Sequence, residues 1–386
     1  MFHDRILKSR STKLLRLPLA AIGVAVIAEL ITTNLAAAIP IPVPLPINST
    51  LVVPVGSPQE ILPTSPFLQR SQQNLNLIYN VRKTPNLTES YELKTIVDQI
   101  VNLATTKGLS KKPLSIILID LNNNEVAGYQ RDVPRYPASV IKLFWMTALY
   151  AQLEQGILPN KAVFEPYLHQ MIGQSDNEAS SVILDQITAT QSWSKSKLNN
   201  SDFQRWLDRR NQVNYFFAGA GYNNININQK VFPIPYLNIQ EPKGTDLQMR
   251  GDPKAPIRNK VTAQHAARLM YEIVNNQAVS PLASQAMVNW LTRDLNPTVW
   301  KNITEYFNPI RGFLGESLPS NTKLVSKAGW TSGSRNEVAF IATKDGKTGY
   351  ILAIFADDRT YASNGKIFPA MSRLVFNQMS RRSSNR

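Results

Sequence analysis

The chain has 386 residues, 43% hydrophobic and 18% charged, a globular composition with room for one large core or for two or three domains. It has no cysteine, which excludes disulfides, thiolate nucleophiles and cysteine-ligated metals. Its formal charge of +15 suits anionic surfaces such as wall polymers or membranes, but no basic run is interleaved with aromatics, so nucleic acid is not expected as a partner.

Residues 1–38 read as an export segment. A basic stretch, Arg5 to Arg16, precedes an apolar stretch from Leu17 to Ala28, and small residues follow at Ala36, Ala37 and Ala38. The apolar core is short for a membrane span, which needs about 20 residues. The apolar character resumes after Glu29, so a cleaved signal peptide and an uncleaved inner-membrane anchor both remain open. Either places the rest of the chain outside the cytoplasm, in the periplasm or beyond. Residues 39–69 hold Pro40, Pro42, Pro44, Pro46, Pro54, Pro58, Pro63 and Pro66, a density that favours an extended tether.

From there the pattern is that of a folded unit over 70–380. Leu93, Ile96, Val97, Ile100, Val101 and Leu103 carry helical spacing. Leu114–Asp120 reads as a strand, Asn122 to Glu125 as a turn, and Val126–Gln130 as the partner strand. Lys142–Gln155 is a long apolar helix stopped by Gly156. Helical segments follow near 164–172 and 178–187. Residues 190–258 are rich in Asn, Gln, Ser and Pro, hold few periodic segments, and read as an enlarged loop insert. Helices return at 261–275 and 281–291. Strands are expected at 323–327, 337–343 and 350–356, then a helix at 367–379 and a basic tail, 381–386. Terminal strands can pair in one sheet while the middle packs as helices, so the expected class is α/β (α+β), with an antiparallel sheet built from both ends of the chain.

Histidine chemistry has little to work with. His3 lies in the leader, leaving only His169 and His265, so a three-His metal site is ruled out for the folded part. Neither histidine sits in a recognisable catalytic setting. No metal or cofactor is expected.

Three short motifs remain: Ser139-Val140-Ile141-Lys142, then Ser175-Asp176-Asn177, then Lys327-Ala328-Gly329. S-x-x-K is weak alone and recurs at Ser192, Ser194, Ser320 and Ser363. Only Ser139 opens an apolar helix. There Ser139 and Lys142, three apart, share a face. The free N–H groups of the helix start favour negative charge at Ser139. Lys142 can act as a base only if its ammonium is destabilised by burial or a neighbouring cation. Taken singly, Ser139 is as readily a helix cap and Lys142 a surface lysine, and Ser-Asp-Asn is a set of N-cap residues.

Together and in this order the motifs, with their context Tyr136-Pro137-Ala138-Ser139-Val140-Ile141-Lys142-Leu143, resemble those of class A-like serine β-lactamases and the related penicillin-binding serine hydrolases. The resemblance covers about 90–380 apart from the altered 190–258 segment, and implies a β-lactamase-like fold. It implies that Ser139 attacks a carbonyl, Lys142 takes its proton, and Ser175 relays a proton to the leaving nitrogen. Lys327 would assist transfer and substrate binding. Asn177, Gly329, Trp330, Thr331 and Arg335 would complete the substrate-binding set, with the backbone N–H groups of Ser139 and Trp330 as oxyanion hole. Arg335 resembles the arginine that holds the β-lactam carboxylate. Lys347-Thr348-Gly349 matches the third motif more literally. However, it stands in an Asp345-Gly346 turn, and only one strand follows it where two follow Lys327.

Two departures stand out. Ala328 replaces the usual hydroxyl residue, and Thr331 is the nearest substitute. The glutamate that activates the deacylating water belongs to an E-x-x-L-N loop, whose best match, Ile234-Pro235-Tyr236-Leu237-Asn238, has Ile234 in its place. Glu241 or Asp246 would then have to supply the base. The resemblance therefore implies an exported serine hydrolase acylated by a small β-lactam or a cell-wall peptide. A penicillin-binding protein or peptidase with a long-lived acyl-enzyme remains open, as does a wall-associated module with a decayed site.

Overall fold

A computed structural model describes residues 77–191, 197–304 and 307–384. The leader, the tether, and Ser192 and Ser194 lie outside the described residues. In chain order the elements are β1 (Thr88–Glu89), α1 (Tyr91–Thr106), β2 (Leu114–Asp120), β3 (Glu125–Tyr129), α2 (Lys142–Glu154), α3 (Glu165–Leu168), α4 (Asn177–Thr188), α5 (Asn200–Ala218), α6 (Gly244–Arg250), α7 (Ala263–Val274), α8 (Pro281–Leu291), β4 (Thr292–Arg293), α9 (Pro297–Trp300), β5 (Lys323–Thr331), β6 (Ser334–Ala342), β7 (Gly349–Ala356), α10 (Arg359–Ser363) and α11 (Ile367–Ser384).

The strands form one sheet in the order β1-β3-β2-β7-β6-β5-β4, antiparallel except for the short β1–β3 pair. The first long strand, β2, pairs with the last, β7, from Leu114↔Ala356 to Asp120↔Tyr350. Successive side chains of a strand point to opposite faces. Ile117 and Ile119 accordingly join one core with Ile351, Ala353 and Phe355. Leu114, Ile116 and Leu118 join the other with Tyr350, Leu352 and Ile354. Helices α1 and α11 cover the second face, while α2, α4, α5, α7 and α8 pack on the first. A sheet covered on both faces needs strands that are mostly apolar on both sides, which is why β7 and the Ile116–Ile119 stretch of β2 read as continuous hydrophobic runs.

Helix α2 is the centre of the larger core. Every residue from Lys142 to Ala151 is buried, so the helix is enclosed all round rather than amphipathic. Each of its fully buried large apolar side chains contributes about 1.5–3 kcal/mol relative to exposure. Gly156, at φ 64°, then takes the left-handed conformation past its end.

The 190–258 segment departs most from the sequence reading, because it contains a 19-residue helix, α5, as well as α6. Asn199 caps α5, its side chain accepting from Asp202 N. Only Val213, Phe216, Phe217 and the charged Arg210 are buried along it, while Phe203, Trp206 and Leu207 in the first half are partly covered. The C-terminal basic residues also differ: α11 continues to Ser384, and Arg382 pairs with Glu92 and Asp120 at 2.8 Å each and with Glu125. No helix among the described residues is long and apolar enough to cross a membrane.

Candidate active site

Ser139 lies in a single 3₁₀ turn, Ala138–Ile141, that leads directly into α2. With three residues per turn, side chains at i and i+3 of such a turn project the same way, which sets Ser139 and Lys142 on one side. Ala138 just before it sits at φ 47°, a left-handed conformation that costs a residue with a Cβ about 1–3 kcal/mol. The surroundings hold it there. Asn336 Nδ2 donates to Tyr136 O at 3.0 Å, while Asn336 Oδ1 accepts from Ala356 N at 3.1 Å, so one β6 side chain ties the Ser139 loop to the sheet.

Strand β5 meets the same loop at Gly329. A Cβ there would lie 2.7 Å from Ser139 N and 2.8 Å from Pro137 O, so only glycine admits this approach. Gly329 is buried and does not line the cavity; its part is to let the strand close on the Ser139 turn. Its neighbour Trp330 does line the cavity, anchored by Nε1–H donating to Ala362 O at 2.8 Å.

The Ser-Asp-Asn segment divides its labour. Asp176 is the N-cap of α4, its Oδ1 accepting from Ala179 N at 2.7 Å, and its Oδ2 accepts from Tyr236 OH at 2.9 Å. Ser175, held at φ 60°, and Asn177 line the cavity. The cap is what turns both towards the lysines. Lys142 Nζ donates to Ser175 O, to Asn177 Oδ1 at 2.7 Å and to Ser175 Oγ at 3.4 Å. Lys327 Nζ donates to Ser175 Oγ at 2.9 Å and to Ala328 O at 2.9 Å.

Both lysines are fully buried, and their charge is the costly state. Burial lowers the Lys142 ammonium to about 7, partly opposed by Asp176. Lys327 is held well below the usual lysine range, first by burial, then by the charges of Lys142 and Arg293, with Glu337 opposing. Arg293 donates to Ile172 O and Ser326 O at 3.0 Å each, which fixes the turn before Ser175 against β5. An amine that loses its proton near neutrality, in hydrogen-bond contact with a hydroxyl shared by a second lysine, is equipped to accept a proton and pass it on.

The site opens into a cavity of about 710 Å³ whose lining includes Ser139, Ser175, Asn177, Phe232, Phe307 and Thr331. Several sequence expectations are corrected here. Arg335 does not reach this cavity. Its guanidinium donates to Tyr361 O, Gly312 O and Ala362 O at 3.1, 2.8 and 2.8 Å, and stacks over Phe313. Ala328 is buried in the core on the α1/α11 side of the sheet. Thr331 lines the cavity, with its Oγ1 3.0 Å from Ser334 Oγ. Ile234 is fully buried and not in the wall; Phe232 and Pro233, joined by a cis peptide bond, stand there instead. Asn177 Nδ2 donates to Pro233 O at 2.7 Å and so holds this wall to the site.

Neither proposed replacement base reaches the cavity. Glu241 is exposed elsewhere. Asp246 is buried in an ion network with Arg210 (3.2 Å) and Lys230 (3.4 Å), which also pair with Asp185, Lys230 at 2.8 Å. Lys347 is in the exposed turn before β7, remote from Ser139, as its Asp345-Gly346 context implies. His265 completes the capping box of α7 and His169 is exposed; neither lines the cavity. Among the described residues no cluster of His, Asp or Glu could hold a metal ion. Sequence reasoning missed Asn336, Arg293, Phe232, Arg258 and Asp357, which carry no local motif.

The sequence profile of the β-lactamase enzyme family matches residues 95–165 and 159–379. The chain belongs to that family, and its fold is that of the class A β-lactamase group. A β-lactamase from Sphaerobacter thermophilus superposes with a TM-score of 0.52 at 17% identity, covering 74% of this chain and 98% of its own. A variant of the reconstructed class A β-lactamase of the last common ancestor of Gram-negative bacteria gives 0.50 at 18% identity, over 75% and 99% of the two chains. A structure of PBP-A gives 0.47 at 16% identity, over 78% and 100%. No curated protein sequence matches the chain.

Proposed function

We propose that this protein is an exported serine hydrolase that opens β-lactam amide bonds through an acyl-Ser139 intermediate and releases the product slowly. The observation that carries the reading is the shared hydroxyl of Ser175. Its Oγ lies 2.9 Å from Lys327 Nζ and 3.4 Å from Lys142 Nζ, beside the cavity that Ser139 lines.

In the proposed sequence Ser139 Oγ attacks the lactam carbonyl while neutral Lys142 takes its proton. The carbonyl oxygen becomes an oxyanion held by the N–H groups of Ser139 and Trp330. As the C–N bond breaks, the proton passes through Ser175 Oγ to the leaving nitrogen, with Lys327 polarising that hydroxyl. Asn177 holds the acyl side-chain amide, and Thr331 supplies a hydroxyl that Ala328 lacks.

Deacylation needs a water and a positioned base within about 2.6–3.2 Å, or one water further away. The loop wall offers Phe232 and Pro233. Among the described residues the one cavity-lining carboxylate, Asp357, is engaged by Tyr136 N–H. This wall favours a penicillin-binding behaviour, a persistent acyl-enzyme, over rapid turnover. Labelling with a fluorescent penicillin, followed by denaturing gel and by mass spectrometry over time, tests it. A persistent adduct on Ser139 supports the reading; rapid turnover without a retained adduct refutes slow release; absence of both refutes the enzyme.

A further inference from the structure

The cavity lining includes two charged residues, Arg258 and Asp357, together with Tyr136 of the Ser139 loop. Arg258 belongs to the segment between α6 and α7; Asp357 directly follows β7. Both are solvent-exposed. The Asp357 carboxylate accepts from Tyr136 N–H, and the charges of Arg258, Arg250 and Asp357 all act on the Tyr136 phenol. Among the described residues neither Arg258 nor Asp357 is in an ion pair, and they do not pair with each other. The remaining wall here is uncharged: Val231, Phe232, Pro233 and the ring of Tyr136.

The charge of Arg135 also acts on Asp357, outside ion-pair distance. A cavity lined by a cation and a carboxylate that are not ion-paired is complementary to a ligand bearing the opposite pair. With Arg335 committed to three backbone carbonyls, Arg258 is the cavity-lining guanidinium. We propose that Arg258 and Asp357 form a subsite for an acyl side chain that ends in a zwitterionic amino acid, its carboxylate on Arg258 and its ammonium on Asp357. This rests on the acyl-serine reading above and narrows its substrate class to acyl donors with a free α-amino acid terminus. No bond is made or broken at this subsite; it positions the donor so that its carbonyl meets Ser139.

The full chain can be tested with three cephalosporins that share one nucleus and one 3-acetoxymethyl group. Cephalosporin C has a zwitterionic aminoadipyl side chain, glutaryl-7-aminocephalosporanic acid has the carboxylate without the amine, and cephalothin has a neutral side chain. The second-order acylation rate of Ser139 is read by mass spectrometry. Cephalosporin C is expected to acylate fastest. Arg258→Gln should lower its rate relative to cephalothin by about 10–100-fold, the loss of a charge-assisted contact. Asp357→Asn, which keeps an acceptor for Tyr136 N–H, should lower cephalosporin C relative to the glutaryl compound by a similar factor. Equal losses with all three compounds in Arg258→Gln would mean that Arg258 holds the nucleus carboxylate, and would overturn the proposal. Acylation with no preference among the compounds would overturn it while leaving the acyl-serine reading intact. Acylation by none of them, with circular dichroism showing a folded chain, would overturn both.

Discussion

The floor and the wall of the cavity are built by different means. The floor is Ser139, Ser175 and Asn177, which line the cavity from the turn before α2 and from the α4 cap, with the fully buried Lys142 and Lys327, whose ammonium groups both donate to Ser175 and, for Lys142, to Asn177. The wall is the chain around Val231–Pro233, backed by the buried network of Asp185, Arg210, Lys230 and Asp246. In the floor a lysine is near its proton-accepting state because the core around it excludes water. Behind the Val231–Pro233 stretch the charges of Asp185, Arg210, Lys230 and Asp246 are spent on each other, and the stretch itself brings only apolar side chains to the cavity. The difference teaches that the two halves of a hydrolytic cycle can be separated. The floor governs whether an acyl-enzyme forms, and the wall governs how long it lasts.

The sharpest break in this comparison is at the nucleophile. Ser139→Ala is expected to abolish covalent penicillin labelling, whereas Ser320→Ala, in an exposed turn before β5, should leave it intact. Mass spectrometry of the adduct decides it, and loss of label in the Ser320 variant would move the nucleophile. Next comes the wall. Phe232→Glu puts a carboxylate where the water must be activated, and deacylation should quicken by about 10²–10⁴-fold. The wild type should show a burst near one equivalent on a chromogenic cephalosporin, then slow turnover. A variant that keeps the burst and the slow phase would show that this wall does not govern release.

The third test compares two lysines in similar sequence. Lys327→Ala removes the nearer of the two lysine partners of Ser175 Oγ and should lower the acylation rate by about 100-fold or more. Lys347→Ala, at an exposed turn, should change it by no more than about twofold. The reverse ranking would place the third motif on β7. The wall's support can be broken by Asp246→Ala, which leaves Arg210 and Lys230 short of one counter-charge. Removing one partner of a buried ion pair costs about 3–5 kcal/mol, to be read as a loss of denaturant stability. A loss below about 1 kcal/mol would show that the network is not what holds this region.

The smallest effect is the pH dependence of acylation. Lys142 must be neutral to accept the Ser139 proton, and its ammonium is lowered to about 7. The acylation rate should therefore rise tenfold per pH unit below about 7 and level above it. A rising limb near 10 instead would show that Lys142 keeps an ordinary lysine's affinity for its proton and is not the base.

Much of this was legible in the sequence. Strand Leu114–Asp120 and helix Pro281–Leu291 run as their apolar patterns dictate, because β2 is covered on both faces and α8 is closed by its Ser280 cap and Pro281. The order of the three motifs indicated which lysine and which serine converge. Helix α5 was not legible. Its first half carries only three apolar residues, Phe203, Trp206 and Leu207, none fully buried, and its stability comes from tertiary partners: Arg210 in the ion network and Phe217 packed against Tyr79, Phe144 and Tyr222.

By itself the sequence determined the residue types that can do the chemistry, the order of the three motifs and an antiparallel sheet built from both ends of the chain, since each is set by local spacing and apolar pattern. Tertiary structure alone decided that Arg335 serves backbone carbonyls, that Phe232 rather than Ile234 lines the cavity, and that Arg258, Asp357 and Tyr136 line it together. Those outcomes depend on which segments distant in sequence come together, and on how buried charges and backbone groups find partners when they do. A one-residue shift in a loop changes which side chain faces the cavity without altering any motif.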